Sequence, residues 1–175
     1  MFPPKRRLAN YSTEQVCDLA KAWLENIRSN PTYELDEISL QVAYFSFFAP
    51  RELKWDFIHM STATAQTDEE LAALAAGPIQ QVLVELGRDA FPIVEELSRA
   101  DSAFKKATQG VNGSESLDKE VLSLLQGLRS KPELKLRESA IRSAHMKRVQ
   151  SEEAILEILK ELKRKRAESK ANEYE

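Results

Sequence analysis

Apolar residues recur along this chain at three- and four-residue intervals, in blocks separated by Pro, Gly and Ser/Asn clusters, which is the period of packed helices. Val16, Leu19, Ala20, Trp23, Leu24 and Ile27 fall on one stripe. The preceding Ser12-Thr13-Glu14-Gln15 has the form of a capping box, with Tyr11 and Val16 spaced to staple the helix start. Ser29-Asn30-Pro31 ends that helix. The stretch Ile38 to Phe48 alternates at first, as a strand would, but Asp36 can cap it as a helix and no second strand exists to pair with it. Pro50 suits the first turn of a helix bearing Leu53, Trp55, Phe57 and Ile58, and Thr67-Asp68-Glu69-Glu70 forms a second capping box ahead of Leu71, Leu74 and Ala75. Gly77-Pro78 predicts a junction, with glycine ending one helix in the left-handed conformation and proline opening the next. Ile79, Val82, Leu83 and Leu86 line that next helix, and Gly87 stops it. A short helix from Pro92 to Arg99, another capped by Asp101, a turn at Gly110 to Gly113, and an amphipathic helix through Val121, Leu125 and Leu128, weakened by Gly127, complete the block.

Beyond Pro132 the pattern thins. Residues 133–170 contain no aromatic residue and no glycine, and their apolar positions sit among Lys, Arg and Glu. Leu134, Ile141, Ile155 and Leu162 lie on a seven-residue lattice, but Arg148 interrupts it, so regular coiled-coil heptads are weakly supported. Ile155, Leu156, Ile158, Leu159 and Leu162, with Ser151 as their cap, make the strongest apolar face of the segment. The expected fold is therefore all-α: a compact multi-helix bundle or short array of α-hairpins with a charged helical C-terminal extension. The expected organisation is an arm at 1–11, a helical domain at 12–128 and the extension at 129–175, frayed at its end.

Composition sharpens this in three ways. The 175 residues suffice for one domain with its own core, and 42% hydrophobic content lies well above that of disordered chains. A single cysteine, Cys17, allows no intramolecular disulfide and no CxxC zinc pair, which points to a reducing compartment, the cytoplasm. The basic start Met1 to Arg7 is followed by no apolar run, and nothing reaches the roughly 18 residues of a membrane span, so no membrane partner is expected. Charge is unevenly placed: residues 1–128 carry a net −7, residues 129–175 a net +4. Such asymmetry marks either a tail that meets an acidic partner or one that folds back on its own acidic body.

Three motifs carry a resemblance: Leu19-Ala20 with Trp23, Trp55-Asp56-Phe57-Ile58, and Ala76-Gly77-Pro78-Ile79 leading into Val82-Leu83. Together they resemble a family of small all-helical bacterial proteins of unknown function, over about residues 12–125. At Ile79-Gln80-Gln81 the chain departs from the Leu-Glu-Asp such a pattern would carry. The resemblance implies an all-helical protein of bacterial or phage origin and carries over no catalytic motif.

Candidate chemistry is sparse. Cys17 lies beside the apolar stripe of the first helix and reads as a buried structural thiol. His59 and His145 fall in no zinc-binding spacing, and Glu95-Glu96 and Asp68-Glu69-Glu70 suit helix starts and solvated faces. An enzyme would need separated residues such as Asp56, His59 and Asp101 to converge in a cleft. We expect no catalytic, metal or cofactor site. The expected function is association with another protein or a second copy, as an immunity protein, inhibitor or accessory subunit. The expected contact residues are Ile155, Leu159, Leu162, Lys160, Lys163, Arg164 and Arg166 of the C-terminal helix. The alternatives are nucleic-acid binding by the same basic cluster, as part of a defence or regulatory complex and strongly salt-dependent, and an enzyme whose site is not visible in the sequence.

Overall fold

A computed structural model describes residues 8–30, 36–112, 116–128 and 136–172, with side chains in the last stretch described to residue 164. All regular structure among them is helical. The helices are α1 (Thr13–Ser29), α2 (Glu37–Phe48), α3 (Arg51–Thr64), α4 (Asp68–Leu74), α5 (Gln80–Leu86), α6 (Phe91–Ala100), α7 (Ser102–Gln109), α8 (Lys119–Leu128) and α9 (Glu138–Asn172). The arm at Met1 to Arg7, the turn residue Gly113 and the lattice residue Leu134 lie outside the described residues.

The helix starts form where the side chains dictate. Ser12 accepts from Gln15 N while Gln15 Oε1 accepts from Ser12 N, and Thr67 and Glu70 repeat that exchange at α4. Asp36 Oδ1 caps α2 at Ser39 N, 2.7 Å away, and Asp101 caps α7 through Ala103 N and Phe104 N. Pro50 stands just ahead of the first turn of α3, as its N-cap residue.

Gly77-Pro78 behaves differently from the expected junction. The only positive φ among the described residues belongs to Gly87, at 56°, so Gly77 is not left-handed. Instead α4 runs into α5 through one turn of π-helix, Ala75–Ile79. Proline supplies no amide hydrogen, and the wider i→i+5 turn absorbs the gap that would break an α-helix. A Cβ at residue 77 would press on the proline ring in a helical conformation, which glycine avoids. The sequence therefore contains a bulge where a break was expected.

The core is built on α1, α3 and α2. Trp23 and Phe57 stack with ring centroids 5.7 Å apart, and Phe45 meets Phe57 at 5.5 Å. Around them Val16, Leu24, Ile58, Leu74, Ile79, Leu83, Phe104 and Leu125 are fully buried. Gly110 ends α7 where space is shortest: a Cβ there would fall 2.7 Å from Leu136 and 3.1 Å from Ala75. Glycine at that point lets α7 close on both the π turn and the approach to α9.

The C-terminal segment folds back. α9 is a single helix about 50 Å long, and its first half lies across α4, α2 and the π turn. Leu136, Ala140, Ala144, Ser151 and Ile155 are buried along that face. Ser151, expected as a cap, sits inside the continuous helix and hydrogen-bonds back to Lys147 O at 2.9 Å.

Candidate interaction site at the C-terminal helix

Two charged anchors seat α9 on the body. Arg137, just before the helix, bonds both oxygens of Glu69 at 2.6 and 2.7 Å, and its backbone N donates to Asp68 Oδ2. Lys106 Nζ of α7 donates to Asp68 Oδ1 at 2.8 Å. That hydrogen bond, reinforced by the charges of Lys106 and Arg137, holds the Asp68 carboxyl below the usual carboxylate range against the opposing effect of partial burial. The neighbouring Glu70 is 0% exposed; its Oε1 faces Arg28 Nε of α1 at 2.7 Å, and its Oε2 accepts from Thr67 N. The acidic start of α4 thus receives a cation from each of α1, α7 and the lead into α9, where the helix dipole also favours negative charge.

The second anchor is Arg148. Its Nη1 donates to Ala76 O at 2.8 Å, inside the π turn, and its Nε meets Glu152 at 2.6 Å. An arginine that interrupts the apolar lattice of the sequence is thus a tie to the backbone bulge, and only the folded helix pair shows it. A separate tie links α3 to α5, where the buried Lys54 pairs with Glu85 and donates to Phe47 O.

Between these anchors the seam is loosely filled. A cleft of about 70 Å³ opens between α1, α2, the π turn and α9, with Trp23, Val42 and Pro78 among its walls. The hollow follows from small side chains: Ala43 of α2, Ala73 of α4, Gly77 of the π turn and Ala144 of α9 line it. The serines on its walls turn their hydroxyls elsewhere, Ser39 to Asp36, Ser46 to Val42 O and Ser151 to Lys147 O, so the lining is apolar. Apart from its chain neighbours and its own helix backbone, a Cβ placed on Gly77 would meet no atom within 4 Å. Lys147, Arg148, Gln81 and Glu152 form the polar rim.

The expected contact residues separate on the folded helix. Ile155 is 4% exposed and belongs to the chain's own core, which corrects its expected role as a docking residue: its stripe faces the body. Leu159 packs partly against that core, whereas Leu162 stands exposed farther along the helix. Lys160 pairs with Glu157 and Arg164 with Glu161, while Lys163 is exposed; the side chain of Arg166 lies outside the described residues. The sequence reading missed a second stripe. Met146, Val149 and Leu156 are exposed, and with Leu162 they supply four of the six exposed large apolar side chains among the described residues. Their three- and seven-residue spacing was legible, but Ile155 and Leu159 gave a stronger stripe, and that stripe is the one that packs on the body.

The other candidate residues do not gather. His59 and Asp56 lie on the exposed side of α3, and Asp101 serves as the cap of α7. Cys17 is half-buried at the flank of α1 rather than within the core. Among the described residues, no three His, Cys, Asp or Glu side chains are placed to hold a metal ion, and no helix is long and apolar enough to cross a membrane.

Fold and surface define an all-α protein in which a helical body carries a long C-terminal helix, bound by one face and exposing Met146, Val149 and Leu156 among charged residues on the other. The chain belongs to a family of unknown function (DUF6869), which matches residues 29–132. The motifs at Trp55 and Gly77 fall inside that stretch; Leu19, Ala20 and Trp23 precede it, and α9 follows it. No curated protein and no solved structure matches the chain.

Proposed function

We propose that this is a non-catalytic protein that acts by binding another protein through the outer face of α9, in the manner of an immunity protein, inhibitor or accessory subunit. The observation that carries this reading is the exposed stripe Met146, Val149 and Leu156 on a helix whose opposite face is already committed to the body. A helix presenting apolar anchors three and seven residues apart suits a partner's hydrophobic groove. Scattered exposed apolar residues need no explanation, but their concentration on one helix does. The nucleic-acid reading draws less support, because Glu157 and Glu161 already neutralise two of the basic side chains.

Photo-crosslinking from position 156 of the full chain in its native host tests the proposal. One defined partner should be captured at 156 and not from an exposed control position on α1 such as Glu14, and the Val149→Lys, Leu156→Lys double variant should lose it. Equal labelling from both positions, or none from either, would sink the reading.

A further inference from the structure

The cleft beneath α9 has features that the association reading does not use. Its lining is apolar down to its serines, while the charge at its rim is uneven. Glu152 is matched by Arg148 at 2.6 Å, and Lys147 makes no ion pair with any described residue, so the rim carries one uncompensated positive charge. An ammonium group beside an apolar hollow is poorly solvated on that side, and a carboxylate entering with its hydrocarbon attached would meet the charge and fill the hollow together.

We propose that the cleft is a binding site for a small aliphatic carboxylate, with the acyl chain lodged between Val42, Ala73 and Pro78 and the carboxylate held by Lys147. The size agrees with a short chain. An apolar cavity of roughly 150 Å³ accommodates a benzene ring, so a hollow of about 70 Å³ takes the terminal few carbons of a short chain and leaves the rest of the chain, with its head group, at the rim. Arg148 positions the rim without being the first partner of the carboxylate, since Ala76 O and Glu152 already engage its Nη1 and Nε. This site is independent of the outer stripe of α9, and either assignment can fail alone.

Hexanoate, hexanol and hexylamine, titrated into the full-length protein, test the assignment. Fluorescence of Trp23, isolated by Trp55→Phe, reports occupancy of the cleft wall. Hexanoate should bind saturably, about tenfold more tightly than hexanol, as a charge-assisted hydrogen bond implies, and hexylamine should bind worst. Lys147→Gln should reduce the hexanoate affinity to that of hexanol and leave hexanol unchanged. Ala43→Leu and Ala73→Leu fill the hollow from opposite walls, and each should abolish binding of both ligands while circular dichroism shows the helical fold intact. Equal binding of acid and alcohol, persistence of binding in both filled variants, or no saturable response to hexanoate would overturn the proposal.

Discussion

Two seams of this bundle are closed by opposite means. Between α1, α2 and α3 the contact is made by rings: Trp23, Phe45 and Phe57 lie with centroids 5.5 to 5.7 Å apart. Between α9 and the body its middle is made by Ala140, Ala144 and Ser151, with Leu136 and Ile155 at the two ends, and it is pinned by Arg137 and Arg148. Large rings fill space and gain their stability from burial; small residues bring helices close but leave hollows wherever several meet. The aromatic seam holds the fold, while the seam under α9 holds one helix in place and has room left over.

The difference can be broken from either side. Phe57→Ala should have the largest effect, about 3 to 5 kcal/mol lost in urea unfolding, because the residue is fully buried among two other rings. A loss below about 1 kcal/mol would mean that the aromatic seam is not the keystone claimed. Glu70→Ala comes next, at about 3 kcal/mol: it strips the acceptor from Thr67 N, removes the partner of Arg28 and unmakes the capping box. Arg148→Ala should cost about 1 to 3 kcal/mol, since Ala76 O and Glu152 lose their donor. Hydrogen exchange should then rise in the first half of α9 and in the π turn but not in α1 or α3.

The smallest effect is the most diagnostic of the charged seam. The folded-state pKa of Asp68 is depressed by Lys106 and Arg137, so its contribution is complete above the unfolded carboxyl value of about 4 and disappears as pH falls through the lower folded value. Asp68→Asn should therefore cost about 1 to 2 kcal/mol at neutral pH, and the gap from wild type should close below roughly pH 4. A gap of constant size down to pH 2 would show that packing, rather than charge, fixes the start of α9.

The helix starts were legible because each depends on residues two or three apart. Ser12 with Gln15, Thr67 with Glu70, and Asp36 and Asp101 as caps form the bonds their spacing implies. Gly77-Pro78 was misleading for the same reason. Locally the pair reads as a stop, and only the surroundings make a π bulge stable: Gly110 admits Ala75 closely, and Arg148 takes up Ala76 O from 72 residues away. Cys17 was expected in the core from its neighbours, yet it lies at the margin of the buried face.

By itself the sequence determined the helical class, most helix starts and the division between an acidic body and a basic extension, because propensity, capping and apolar period act within a few residues. Tertiary structure alone decided that the basic extension returns to the acidic start of α4, that Ile155 faces inward while Leu156 faces out, and that small residues from four elements enclose a hollow. These features depend on which surfaces meet across 68 or more residues of chain, and a period read along one segment carries no information about the neighbour it will find.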